Sequence, residues 1–291
     1  MANLWEPVCG VYSSTASVLP CLGWLTELGN SSFFTTVFGA LAGAFTGAWA
    51  AQRIAVRSRR QEELIKEIRS TNSAMLLGQA ILNISISSKI ECALPLKEAF
   101  DEAYRSFKQN TDNTKALNLN KYTCVSMPID ALSSLMLTEI SASSEAFRAF
   151  LYVQISINSY ITTLARRNEL VDIFRSEIGP SHPEFHTIYF GETHNGITNK
   201  AYRDSIEQIY DQCDDLIFYS NKMCLYLGEH AIHLKGEYEK LAKSKVAVAR
   251  IELKSVKPGL IPSDESYAHW LAAHRPFKKS AQVRWWHFRT K

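Results

Sequence analysis

The sequence predicts a mainly α-helical protein, in which one N-terminal transmembrane helix is followed by a long-helix antiparallel bundle or coiled-coil domain. Three observations predict it. Residues 33–51 carry no charge, apolar residues recur at alternating steps of four and three over long stretches, and turn-forming residues collect in a few short places. With 46% hydrophobic and 21% charged residues in 291, the chain has the composition of a folded body rather than a disordered one. The expected division is an extracytoplasmic segment over 1–32, a membrane helix over 33–52, a cytoplasmic helical bundle over 53–245 and a basic-aromatic tail over 246–291.

The uncharged run reads FFTTVFGALAGAFTGAWAA. Nineteen residues at ~1.5 Å each reach about 28 Å, close to the ~30 Å of a hydrocarbon core. A cleaved signal peptide is disfavoured because residues 1–32 hold no Lys or Arg and include Glu6 and Glu27. A buried core helix is the plainer alternative for the run. Arg53, Arg57, Arg59 and Arg60 follow it directly, which places the N-terminus outside and the long C-terminal part in the cytoplasm. Trp49 and Trp24 stand near its two ends, as interfacial anchors do, and the first thirty residues have the make-up of a short interfacial helix. Gly39, Gly43 and Gly47 recur every four residues, with Ala40, Ala44 and Ala48 beside them. Such a row lets two backbones approach within a bilayer, so a homo-oligomer through this helix is expected. Small residues are also simply common in membrane helices.

From Ile54 the helical pattern continues with no proline before Pro95. Leu64, Ile68, Thr71, Met75, Gly78, Leu82 and Ser85 keep the 4-3 spacing of an apolar seam. Pro95 should kink or break the helix near Leu94, after which Leu96, Phe100, Tyr104 and Phe107 resume it. Residues 109–123, rich in Asn and Thr, read as a loop, and Pro128 with Asp130 begins a new helix. A long helix is expected over 144–178, with Phe147, Leu151, Gln154, Ile157, Ile161 and Leu164 on one stripe, stopped by Gly179 and Pro180. The most regular seam runs from Ile206 through Tyr210, Cys213, Ile217, Ser220, Cys224, Leu227, Ala231, Leu234 and Tyr238 to Leu241. That regularity argues for coiled-coil-like packing of three long helices. Residues 245–256 alternate like a strand or a frayed helix end, and residues 265–274 could form a short helix.

Chemistry is harder to find. There is no Walker loop, dinucleotide glycine fingerprint, GxSxG elbow or HExxH, so no cofactor is expected and nothing commits the chain to an enzymatic reaction. The six cysteines at 9, 21, 92, 124, 213 and 224 have no zinc-like spacing. The last four suit buried hydrophobes in a reducing compartment. His230 and His233 are weak metal candidates, set three apart on a helix beside Glu229 and Glu237, though a solvated surface explains them as well. Residues 181–198 form a polar, aromatic loop holding His182, His186, Glu192 and His194, the best place for a catalytic or ligand role if there is one. Asp211, Asp214 and Asp215 read as a solvated acidic face. In the tail, Lys278, Lys279, Arg284 and Arg289 alternate with Trp285 and Trp286. This composition suits an anionic lipid leaflet first, single-stranded nucleic acid second, and folding back on the bundle third.

The run GAWAAQRIAVRSRRQEELIKEIRSTNSA followed by KIECALPLKEAF resembles a group of uncharacterised bacterial single-span inner-membrane proteins with a helical cytoplasmic domain. The resemblance covers about the first third of the chain and implies a bacterial inner-membrane setting, with no catalytic residues to carry over. The expected function is a membrane-anchored, self-associating sensor, scaffold or effector, for which bacterial stress or phage defence is one setting. The competing expectation is a membrane-tethered hydrolase or metal-dependent enzyme using the 181–198 loop.

Overall fold

The computed structural model describes residues 32–109, 117–180, 182, 184–194, 196–249 and 259–273, with the side chains of 32–35, 194 and 197 excepted. The described elements are α1 (Ser32–Ser88), a π-helical turn (Lys89–Ala93), α2 (Leu94–Lys108), α3 (Ile129–Thr138), α4 (Ser144–Ser176), α5 (Phe185–Phe190), the two-residue strands β1 (Thr193–His194) and β2 (Ile197–Thr198), α6 (Ala201–Ala242) and α7 (Ala268–Ala273). The chain forms two compact units, Met1–Arg60 and Gln61–Lys291.

In the first unit every described side chain, residues 36–60, is exposed. The expected transmembrane helix is not supported: among the described residues no helix is long and apolar enough to cross a membrane. The reason is visible in the residues. Thr36, Thr46 and the glycines at 39, 43 and 47 dilute the apolar side chains of the described part of the run, and Gln52 and Arg53 follow directly.

The second unit is mainly helical and bundle-like. All seven seam positions expected on α1, from Leu64 to Ser85, are buried. They face α6, which runs the opposite way. Leu64 and Ile68 cluster with Leu234 and Tyr238, Gln61 donates to the Leu241 carbonyl, and Gly78 lies against Met223 and Cys224. Helix α4 also opposes α6, as the Tyr152–Tyr219 ring contact and the Gln212–Thr163 hydrogen bond at 3.0 Å show. Thus α6 is the central helix, with α1 and α4 both antiparallel to it. A two-stranded coiled coil does not describe this packing, because residues 216–220 are buried on every side. A helix apolar all round belongs inside a bundle.

Of the two outcomes expected at Pro95, a kink or a break, the break does not occur, and the stripe expected on α4 is corrected. The proline ring would clash with the carbonyl one turn back, and the widened turn just before it, where the Leu94 N–H bonds the Lys89 carbonyl, accommodates the ring. The buried stripe of α4 is Ala149, Phe150, Val153, Ser156, Ile157, Tyr160, Thr163, Leu164 and Arg167, whereas Leu151, Gln154 and Ile161 are exposed. The large aliphatic residues suggested one face, but small and aromatic residues define the closer contact with α6. The 181–198 segment folds into α5 and a hairpin whose strands pair Thr193 with Thr198. Residues 245–249 are irregular, held where Asn72 bonds the Ala247 carbonyl and the Ala249 N–H. The rest of the alternating stretch, 250–256, lies outside the described residues.

Candidate functional site

Continuing the α1 seam by four residues from Ser85 puts Lys89 inside the bundle, on the π-helical turn. Its side chain is 4% exposed, and its amine donates to the Asp214 carboxylate of α6, 22% exposed. The Tyr210 ring lies 5.0 Å from the Lys89 Nζ and 5.9 Å from that of Lys97. The pair opens onto a cleft of about 410 Å³, lined on one side by Lys89, Asp211, Asp214 and Asp215 and on the other by Pro262 and Tyr267. Burial pushes the Asp215 carboxyl above its ordinary range, against the hydrogen bond from the Tyr267 hydroxyl at 2.8 Å. Burial and then the Asp214 charge raise Asp211, with Lys97 opposing. The acidic face expected to be solvated is therefore half built into the structure. Widened helical turns recur at functional sites, and this cleft is the strongest charged arrangement among the described residues.

A second cluster joins α1, α6 and the turn before α4. Glu67 accepts from the Ser141 hydroxyl, from the Ser141 N–H at 2.8 Å and from His230 Nε2 at 3.1 Å. Burial would raise the Glu67 carboxyl, but these bonds outweigh it and hold it below the usual range. Serine, histidine and glutamate meet here in the wrong order for nucleophilic catalysis, since serine and histidine both contact the carboxylate and not each other. His233 points elsewhere, 71% exposed and 3.8 Å from Glu237. The two histidines do not share a ligand, and among the described residues no group of three or more His, Cys, Asp or Glu could hold a metal ion.

The loop candidates are drawn into packing. His186 stacks on Phe107 and Phe190, with centroids 5.3 and 6.0 Å away, and Glu192 accepts from Tyr104 and pairs with Lys108 at 2.8 Å. His182 Nδ1 accepts from the Glu184 N–H, while the side chain of His194 lies outside the description. Arg167, fully buried, reaches the Asn118 and Asn120 carbonyls and the Tyr202 hydroxyl, and so fixes the 117–122 stretch on α4. A cleft of about 500 Å³ adjoins it, with Ser88, Cys92, Tyr122 and Tyr160 in its wall. Burial pushes the Cys92 thiol up to about 11 despite the Arg167 charge, so it is no thiolate nucleophile near neutrality.

Of the other residues singled out, Gly39, Gly43 and Gly47 have open space where a Cβ would stand. Arg53 lies 4.9 Å over the Trp49 ring, and Arg57, Arg59 and Arg60 are exposed on α1. Lys278, Lys279, Arg284, Trp285, Trp286 and Arg289 lie outside the described residues, as do Cys9, Cys21 and Trp24. No protein-family model, curated protein or solved structure matches the chain.

Proposed function

We propose that this chain is a membrane-anchored, self-associating helical protein whose Gln61–Lys291 unit works as a sensor, scaffold or effector on the cytoplasmic face. The observation that supports it is the change in exposure along α1. Phe45 and Trp49 are 78% and 57% exposed, whereas Leu64 and Ile68, on the same helix, are 1% exposed. An uncharged helix that leaves its aromatic side chains out of its own core suits an apolar surrounding. The run of nineteen uncharged residues counted from Phe33 is slightly short for a bilayer, and flanking arginines that snorkel while lipid thins locally make up such a difference. Arg53, Arg57, Arg59 and Arg60 set the orientation with the C-terminus inside. The open glycine row 39, 43 and 47 supplies a contact with a second copy. The bacterial inner-membrane setting rests on the sequence resemblance. The hydrolase alternative has less in its favour, because His186 and Glu192 are engaged in packing and ion pairing.

Membrane fractionation with alkaline carbonate tests the reading. The full chain is expected in the carbonate-resistant pellet, and a chain lacking residues 33–51 in the supernatant. A cytoplasmic reporter fused after Lys291 should be active. Full-length protein recovered in the soluble fraction would sink the proposal.

A further inference from the structure

A sensor needs two states, and the Gly259–Ala273 stretch is built to supply them. It carries one six-residue helix, α7. It lies across α6 through one aromatic cluster and one ion pair: the Tyr267 ring stacks on Phe218 at 3.8 Å, the buried Trp270 meets Phe218 and Tyr152 edge-on at 5.7 and 5.8 Å, both meet Tyr219 at 5.7 and 5.3 Å, and Lys222 pairs with Asp264 at 2.7 Å. Its backbone bonds are largely internal, such as Leu271 N–H to the Tyr267 carbonyl and Tyr267 N–H to the Asp264 carbonyl, so the strap can leave without breaking any backbone bond of α4 or α6. Pro262, Ser266 and Tyr267 of this strap form one wall of the cleft whose other wall is Lys89, Asp214 and Asp215. The only polar link it makes to that wall is the Tyr267 hydroxyl to Asp215 at 2.8 Å, among the bonds of the described residues. At its start Gly259 has φ +91°, a conformation that other residues adopt only under strain, which suits a pivot.

We propose that the Gly259–Ala273 strap is a lid that opens and closes over the Lys89–Asp214 pair while the helical bundle stays folded. With the strap in place Lys89 is 4% exposed. Open, it widens the cleft beside the buried amine and uncovers the aromatic surface of Phe218, Tyr219 and Tyr152. Local openings of this kind occur well below the free energy of global unfolding when few buried contacts hold a segment.

Native-state hydrogen exchange on the full chain tests it, read at the amides of 267, 268 and 271 in the strap and 216–220 in α6. The strap amides should exchange at least about tenfold faster than those of α6, with little denaturant dependence. Tyr267→Phe, which keeps the stack and removes the hydroxyl, should speed the strap further and leave α6 unchanged. Acylation of Lys89 by an amine-reactive ester, followed by mass spectrometry, should quicken in Trp270→Ala with the helical signal retained. The proposal is overturned if the strap amides exchange together with α6, if Tyr267→Phe speeds both equally, or if Lys89 labelling in Trp270→Ala stays at the parent rate. Should Trp270→Ala fail to fold, Tyr267→Phe and the parent chain still decide between the two outcomes.

Discussion

Replacing Asp214 by Asn keeps the shape of the side chain but leaves the Lys89 ammonium without its counter-charge. Breaking a buried ion pair by removing one partner costs about 3–5 kcal/mol when both groups are fully desolvated. Lys89 meets that condition at 4% exposure, but Asp214, at 22%, borders the cleft, so water and the nearby Asp211 and Asp215 carboxylates recover part of the loss. The expected cost is therefore about 2–3 kcal/mol. For a folded unit of this size each kcal/mol moves Tm by ~2–4 °C, so the fall should be about 4–12 °C. Urea and thermal unfolding of the full chain in detergent, followed by far-UV circular dichroism, measure the cost and the fall in Tm respectively. The double variant Lys89→Met with Asp214→Leu removes both charges and should recover stability to within about 1 kcal/mol of the parent, because apolar replacements of a buried pair are often neutral or better. A cost below ~0.5 kcal/mol for Asp214→Asn, or no recovery in the double variant, would refute the buried-pair account.

Gly78→Ala should destabilise the bundle by about 1–3 kcal/mol in the same unfolding assay, since the new Cβ would stand 2.7 Å from Met223 Cε and 2.8 Å from Cys224 Sγ. Glu67 is held below its ordinary carboxylate value of 4.5, so it stabilises the fold above that pH and the contribution disappears as pH falls through the lowered folded value. Glu67→Gln should accordingly be less stable than the parent at pH 7, with the gap in Tm closing in acid; a gap that widens below pH 4.5 would contradict the sign. Gly43→Ile and Leu234→Ala should separate assembly from folding. The first loses membrane crosslinking, where ~1 kcal/mol shifts a dimer equilibrium about fivefold, and the second loses about 2–5 kcal/mol of folding stability, from its position 4% exposed beside Leu64 and Ile68.

Long helices and their seams were legible because the 4-3 spacing is a direct consequence of helix geometry, and each α1 seam residue from Leu64 to Ser85 is buried as that spacing requires. The seam on α6 was legible too, but its meaning was not. Spacing identifies a buried stripe and does not reveal how wide it is. Leu216, Phe218 and Tyr219 extend burial around the whole helix, which turns a two-stranded reading into a central bundle helix. On α4 the large aliphatic residues do not mark the buried face. Ala149, Ser156 and Thr163 are buried because small residues let α4 and α6 approach, while Leu151 and Ile161 remain exposed. Pro95 carries an unambiguous local penalty, but one extra residue in the preceding turn absorbs it, and no local rule chooses between a break and that remedy.

The site was present in the sequence in two halves that were not joined. Lys89 stands four residues after Ser85, the last seam position recognised, and Cys92 and Leu96 continue the same row inward. A lysine in a buried row requires a carboxylate, because an unpaired ammonium is too costly to bury. Three acids of the partner helix, Asp211, Asp214 and Asp215, fall within five residues, and the antiparallel pairing of Gly78 with Cys224 carries Lys89 one further stretch along α6 to Asp214. What no periodicity contains is Tyr267. It reaches Asp215 from a segment separated by a proline- and glycine-rich linker, at a sequence distance of 52 residues. Contacts of that kind are set by how a short strap happens to close on a finished bundle, so the lysine and the aspartates of the cleft follow from helical register, whereas its lid is visible only in three dimensions.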